Sequence, residues 1–462
     1  MSETLSRDLL DLSAGELAKA LAQRRVSALE LAEAAIARIE TRDGAINAVV
    51  VRDFDRACEA AKAADAAIAR GEHGPLLGLP MTVKESHDVA GLASTWGFEP
   101  FKDYVAPRDS AGVERLKAAG AVILGKTNVP VMLSDWQAAN PIYGRTNNPW
   151  DPTRSPGGSS GGAAAALAAG MIPLEFGSDI GGSIRIPAAF CGVYGHKPSY
   201  GLIPQRGHAP AGMDGAGVPL AVLGPLARTA ADLQLALDVL AGPEEGEAVG
   251  YRLALPAPRY GKLADYRVLI LDELPGVALE SEIRAALNNL AGKLEGLGAT
   301  VSRKSHLLPD MAKARELYMG LLDTAMSRGQ PGATPINAHD WMGLLDGQVQ
   351  LRRQWALLFQ TFDVVLAPTF GAVAFPHVTE QDPGKKVLMI DGKATPYFDQ
   401  LAWPGIALVA NLPATAAPIG FTKAGLPISV QVIGPYLEDR TTIAFAGLLE
   451  LEFGGFSAPP PL

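Results

Sequence analysis

Two segments of the chain set serines among glycines: Arg154-Ser155-Pro156-Gly157-Gly158-Ser159-Ser160-Gly161-Gly162 and Gly177-Ser178-Asp179-Ile180-Gly181-Gly182-Ser183-Ile184-Arg185. Glycine weakens the interior of helices and strands alike, and it lets another backbone or a substrate approach without meeting a side chain. Both segments therefore read as loops built for close approach, with the helix-prone run Ala163 to Ala169 between them. Serine hydroxyls held in such loops point to hydrolysis by a serine nucleophile. A serine hydroxyl needs a base within hydrogen-bond reach to be effective.

Two motif matches suggest other chemistry and fail on context. Residues Gly120 to Thr127 fit the P-loop expression, and Val268 to Asp272 resembles the acidic strand that would hold magnesium. A P-loop needs a strand before the first glycine, a flexible interior and a helix after the threonine. Here a helix precedes, Ala121 to Leu124 is strand material, and Asn128-Val129-Pro130 follows, so a helix-to-strand turn is the better reading. Gly157 to Gly161 matches G-x-S-x-G, the nucleophile elbow, which must follow directly on a strand. Asn147 to Pro152, with two prolines and turn residues, cannot supply one.

Of the seven histidines, His306 and His377 follow the serines in the order an elbow hydrolase would need. A lone histidine is more often structural, and no H-E-x-x-H pair exists for zinc. Cys58 and Cys191 are too few for a disulfide framework or a thiolate site, which suits a reducing compartment. No metal and no cofactor is expected.

The elements that must position the loops follow from capping and periodicity. Ser13 to Glu16 and Ser27 to Glu30 fit the capping box and start two helices. A third helix covers about Phe54 to Arg70, and Leu79 to Val83 is a short buried strand that delivers Lys84 at its end. Helix Val113 to Ala119 leads into strand Ala121 to Leu124, and Asn140 to Pro156 reads as ordered loop. Helix Ala230 to Leu240 ends at Ala241-Gly242-Pro243, the expected internal boundary. Beyond it the pattern gives strand Arg267 to Leu271, helix Glu280 to Leu297 and strand Ala299 to Arg303. Met311 to Gln360 is mostly helical, then strands Asp363 to Pro368, Ala414 to Ile419 and Ile428 to Ile433 precede a last helix, Thr441 to Leu451. The expected fold class is α/β, a single large domain with a central mixed sheet covered by helices on both faces.

A hydrophobic content of 48% supplies such a core, and 19% charge argues against disorder. The 40 basic and 49 acidic residues give a net charge of −9 with no block of like charges, which disfavours a nucleic-acid partner. No apolar run approaches the length of a membrane span, and Met1 to Asp11 lacks an apolar signal core. The expected location is cytoplasmic, with no membrane partner.

The combination of Lys84 with both serine loops resembles the amidase signature family. The resemblance runs from Gly78-Leu79-Pro80 to Lys84, through Lys126-Thr127-Asn128-Val129-Pro130 and Asn148-Pro149-Trp150, and across both glycine–serine loops to Ile186-Pro187. Cys191-Gly192 and Lys197-Pro198 continue it, and Asn411 to Ala414 with Gly425 to Gly434 resemble the family's final strands. It is weakest between about Glu245 and Tyr397. By this resemblance the chain is one amidase signature domain over 1–462. It would comprise N-terminal helices over 1–75, a catalytic core over 76–243, a divergent region over 244–400 that could border the substrate cleft, and closing strands and helix over 401–462.

The resemblance implies that Ser183 is the nucleophile, Ser159 the bridging serine and Lys84 the base. It also implies a cis peptide at Gly158–Ser159 that aims the Ser159 hydroxyl between Lys84 and Ser183. Backbone N–H groups of Ile180, Gly181, Gly182 and Ser183 match the family's oxyanion hole, and Asp179 and Arg185 its loop supports. Ser160 is expected in a structural hydrogen bond. The physics agrees: lysine serves as a base when desolvation lowers its pKa, and Ser–Lys sites are a variant of the triad logic.

The expected reaction is hydrolysis of a small-molecule amide through an acyl-Ser183 ester, with carbamate and ester cleavage sharing the path. Met132, Leu133 and Trp136 stand where the family's acyl pocket is often lined, with Met132 fitting ordinary core equally well. The divergent stretch Met311 to Gln360, with Trp341, Trp355 and Phe359, could pack over the cleft as a lid or equally serve as scaffold, and an apolar or aryl substrate side is expected. The family also includes the A chain of glutamyl-tRNA(Gln) amidotransferase, which acts with partner chains on an RNA substrate. Lys197 to Pro210 looks more like stand-alone amidases. A catalytically silent binding protein is the alternative of another class. A homodimer is the default assembly.

Overall fold

The computed structural model describes residues 9–328, 330 and 332–461. Its central feature is an eleven-stranded sheet, whose strands in chain order are β1 (Val49–Arg52), β2 (Pro80–Lys84), β3 (Val122–Thr127), β4 (Leu174–Asp179), β5 (Tyr194–Lys197), β6 (Val222–Ala227), β7 (Arg267–Ile270), β8 (Thr300–Ser302), β9 (Val364–Pro368), β10 (Ala414–Phe421) and β11 (Pro427–Ile433). In space they run β1-β3-β2-β4-β6-β5-β10-β11-β9-β7-β8. The pairing is mixed: β2 is parallel to both β3 and β4, while β4 and β6, β10 and β11, and β9 and β11 are antiparallel. Strands from both sides of Pro243 join this one sheet, so the chain forms a single domain.

Alternation along the strands explains the layering. In β7, Val268 and Ile270 enter one apolar core and Leu269 the other; in β9, Val364 and Leu366 oppose Val365 and Ala367 in the same way. A strand covered on both faces reads as a continuous apolar run. Helices fill both sides. Helices Ala14–Ala22, Ala28–Ile46, Gly161–Ala168, Ala230–Leu240 and Asp439–Phe453 belong to the first core. Helices Met311–Ser327, Ala338–Thr361 and Ala402–Val409 belong to the second. Both capping boxes form: Ser13 accepts from Glu16 and Ser27 from Glu30, with each glutamate returning to the cap amide.

Several expected elements need adjustment. Strand β3 runs on through Lys126 and Thr127, because their side chains find buried polar partners. The stretch from Met311 to Gln360 is two helices. Strands β1, β4, β5 and β6, helix Arg185–Cys191 and the hairpin Val387–Ile390 with Lys393–Pro396 appear where periodicity gave no element. Strands of four to six residues, three of them carrying glycine, are too short to declare a period of two. Among the described residues no helix is long and apolar enough to cross a membrane.

Candidate active site

Strand β2, hydrogen-bonded on both edges, ends at Lys84 and carries its side chain wholly out of solvent. Lys84 Nζ lies 2.6 Å from Ser159 Oγ, 2.9 Å from Ser178 Oγ and 3.4 Å from the Ser178 carbonyl oxygen. Burial pushes its pKa down to about 7, against the opposing pull of Asp179 and Glu175. A neutral amine has two N–H bonds and one lone pair. Two Ser178 acceptors and one Ser159 hydroxyl donor match that inventory, since a hydroxyl both donates and accepts.

The first serine loop enters helix Gly161–Ala168 through a cis peptide between Gly158 and Ser159. Gly158 lies against the backbone of Asp135 and Trp136, and a Cβ there would meet Trp136 C and Cα at 2.9 Å. Ser155 Oγ donates to Trp136 O at 2.7 Å and accepts from Gly157 N–H at 3.0 Å, which fixes the approach. The two loops are tied directly: Ser160 N–H donates to Ser183 O at 3.0 Å. Ser160 Oγ exchanges long hydrogen bonds, 3.4 and 3.5 Å, with the Ser178 backbone.

The second loop follows β4 and is held from below by Asp179. Its carboxylate accepts from Gly182 N–H at 2.8 Å, Ile184 N–H at 3.1 Å and Arg185 Nε at 3.0 Å. Burial alone would raise the Asp179 pKa, but the Arg185 guanidinium and the amides outweigh it and hold the carboxyl below its usual range. Arg185 also donates to Gln431 Oε1 at 2.6 Å and to Pro404 O at 3.1 Å. The expectation that four amides converge on an oxyanion is corrected here. Gly182 N–H is committed to Asp179, whereas the amides of Ile180, Gly181 and Ser183 have no protein partner among the described residues. The carbonyls of this loop are anchored from outside: Tyr318 donates to Ile180 O at 2.9 Å and Trp136 Nε1 to Gly181 O at 2.9 Å.

Ser183, 5% exposed, opens on a cavity of about 240 Å³. Leu133, Ser134, Asp135 and Trp136 form one wall, Met319, Leu322, Asp323 and Met326 another, and Phe398 and Leu401 a third. Leu133 and Trp136 are thus among the residues lining the cavity. Met132 does not line the cavity. It starts a pair of left-handed residues, φ 50° and 59°, and the turn brings Leu133 to the wall in its place. Nor do Trp341, Trp355 and Phe359 form a lid over it: Trp355 and Phe359 stack at 5.8 Å inside the second core, and Trp341 packs against it.

Sequence reasoning missed Ser178 as the second partner of Lys84, and missed Tyr318, whose only signal is one more apolar position on an amphipathic helix. It also missed a histidine pair beside Lys84, in which buried His87 stacks on Phe176 at 4.1 Å and lies 4.7 Å from partly buried His208. Burial holds both imidazoles neutral. His306 and His377 make no hydrogen bond to either serine, and no histidine does among the described residues. No group of three or more His, Cys, Asp or Glu side chains could hold a metal ion among the described residues.

The Amidase family model matches residues 30–331 and 337–443. The A chain of the glutamyl-tRNA(Gln) amidotransferase of Moorella thermoacetica is 32% identical over 96% of this chain and 97% of its own. AmiB2 of Mycobacterium bovis, which carries an amidase name, is 34% identical over 96% of each chain. The crystal structure of a bacterial aryl acylamidase of the amidase signature family superposes with a TM-score of 0.79 at 26% identity, covering 95% of this chain and 96% of that one.

Proposed function

The chain belongs to the amidase family, and from that premise we propose that it hydrolyses an uncharged, apolar carboxylic amide through an ester on Ser183. The observation that carries the reading is the contact of Lys84 Nζ with Ser159 Oγ at 2.6 Å, with the amine held near neutrality by burial. Neutral Lys84 takes the Ser159 proton while Ser159 takes that of Ser183, and Ser183 Oγ bonds to the amide carbon. The charge that develops on oxygen meets the free amides of Ile180, Gly181 and Ser183. The relay then returns the proton to the leaving nitrogen, the C–N bond breaks, and water admitted by the same base hydrolyses the ester. Carbamates and esters would follow the same path.

The apolar cleft supports the substrate class. Its walls are Leu133, Trp136, Met319, Leu322, Met326, Phe398 and Leu401, and the ionisable groups among them are the carboxylates of Asp135 and Asp323. Asp135 is bound to Lys386 and Tyr397. A second reading, the glutamine-hydrolysing chain of an amidotransferase, is supported by the 32% identity with the Moorella thermoacetica protein. A glutamine carboxylate, however, would enter a cleft whose lining carries acids and no cation among the described residues. Two free thiols, one of them buried, suit a reducing cytoplasm.

The test is covalent. A fluorophosphonate is expected to label the wild-type chain at Ser183 and to leave Ser183→Ala unlabelled, and Ser183→Ala and Lys84→Ala should lose turnover of aryl amides while keeping the wild-type melting temperature within a few degrees. Folded Ser183→Ala that still turns over amides would sink the assignment. Failure of labelling in wild type would favour a catalytically silent binding protein.

A further inference from the structure

We propose that Tyr318 positions the oxyanion-binding amide of Gly181, by holding the Ile180 carbonyl from the helix that walls the substrate cleft. The inference rests on the reading of Ser183 as nucleophile. In a planar trans peptide the carbonyl of one residue and the N–H of the next point in opposite directions. Tyr318 donates to Ile180 O at 2.9 Å, so the Gly181 N–H points away from Tyr318. Tyr318 itself borders a separate, nearly filled space of about 20 Å³ beside Gly405 and Met311, whereas Gly181 borders the cleft with Ser183. Away from Tyr318 therefore means toward the reacting carbonyl. That amide has no protein partner among the described residues, as an oxyanion donor should not.

The neighbouring peptides are held as well. Gly181 O accepts from Trp136 Nε1 at 2.9 Å, and Gly182 O from Ile186 N–H at 2.7 Å. Without the Tyr318 hydroxyl, the 180–181 peptide is the one plane in this set with its carbonyl released. Glycine at 181 leaves that plane free to rotate, and a turned plane would aim a carbonyl dipole at the developing negative charge. Burial keeps the Tyr318 phenol protonated far above the working pH, so it remains a donor.

A slot is cut for the ring. Gly405 sits inside helix Ala402–Val409, where glycine costs about 1 kcal/mol relative to alanine. A Cβ at 405 would come within 2.7 Å of Tyr318 Cδ1, which accounts for the glycine. The same helix that carries Tyr318 contributes Met319, Leu322 and Met326 to the cleft. An acyl group packed on that wall thus braces the donor it needs, and remote binding is converted into stabilisation of the transition state.

The experiment measures how fast a fluorophosphonate phosphonylates Ser183 in the full chain, a step in which the Ser183 Oγ–P bond forms, fluoride leaves and the serine proton passes to Lys84. The phosphoryl oxygen occupies the oxyanion position. Fluoride release against probe concentration gives a limiting rate and a half-saturation value. For Tyr318→Phe the limiting rate is expected to fall about 10- to 100-fold with half-saturation unchanged within about twofold, somewhat less than the loss of a whole oxyanion donor. Gly405→Ala, which keeps the hydroxyl but displaces the ring, should show the same signature, and serves if Tyr318→Phe does not fold. A purely structural hydrogen bond would lower the melting temperature and leave the limiting rate alone; that result, or an effect on half-saturation only, overturns the proposal. If wild type is not labelled at Ser183, the nucleophile reading falls and this proposal falls with it; if wild type and Tyr318→Phe label equally fast, only this proposal falls.

Discussion

Lys84 Nζ and Ser159 Oγ are 2.6 Å apart, and both side chains are sealed from solvent. Burial is what makes the pair useful. An exposed lysine stays protonated near neutral pH and has no lone pair to offer, whereas desolvation disfavours the ammonium and frees the amine. Asp179 and Glu175 both favour the charged form, yet desolvation is the larger effect. Asp179 makes its hydrogen bonds to Arg185 and to loop amides rather than to Lys84, so it acts on the amine only at a distance.

A pH profile follows from that balance. Lys84 titrates at about 7, and only its neutral form can accept the Ser159 proton. Amide turnover, kcat/KM, is expected to rise tenfold per pH unit below about 7 and to level off above it. Lys84→Arg, a cation at every accessible pH, should lose activity by about 10²- to 10⁴-fold with no acid limb remaining. The check is the pH dependence of para-nitroacetanilide hydrolysis; a flat profile between pH 5.5 and 8.5 would contradict the assignment of Lys84 as base.

Specificity should yield to the cleft's second wall. Met319 is half-buried and lines the cavity, so its truncation enlarges the cleft without opening the core. Met319→Ala is expected to lower kcat/KM for bulky apolar acyl anilides by about 1–3 kcal/mol of transition-state binding, roughly 10- to 200-fold, and to leave acetyl anilides nearly unchanged. Comparing the two series on wild type and variant measures it. An equal loss on both would mean that Met319 does not contact the acyl group.

How much of this was legible in the sequence depends on what the chemistry demands of residue type. Gly157 and Gly158 advertise themselves, because the backbones of Pro187 and of Asp135 and Trp136 come too close for a Cβ, and Gly182 does so through its positive φ of 92°. Lys84 was legible at the end of an apolar run, and Leu133 and Trp136 near the strand that follows. Tyr318, Met319, Leu322 and Met326 were not. A wall built from an amphipathic helix has the composition of any core-facing helix, and only the tertiary packing tells cleft from core. Trp355 and Phe359 illustrate the converse: aromatic content fits lid and scaffold equally, and packing makes these residues ordinary core. Gly182 failed for a third reason, since a glycine-rich sequence does not reveal which amide Asp179 has already claimed.

Glu175 lies beside Lys84 and takes no direct part in the proton relay. On β4 it faces Thr82 of β2, whose hydroxyl donates to it, and it accepts from Thr127 Oγ1 at 3.2 Å. Burial pushes its pKa up to about 8, over the lowering effects of Thr82 and Thr127. The folded chain therefore holds a proton at Glu175 that the unfolded chain releases near pH 4.5. The stability linked to that proton is fully present below pH 4.5 and is lost as pH rises toward 8, on the order of 1 kcal/mol per unit at most. Glu175→Gln mimics the protonated form and removes the titration. Urea denaturation at pH 5 and pH 7 should find the variant gaining stability relative to wild type between the two; because the charged form of Glu175 favours the Lys84 ammonium, the acid limb of para-nitroacetanilide turnover should not move to higher pH in the variant. A relative stability that does not change with pH would mean that Glu175 is ionised throughout.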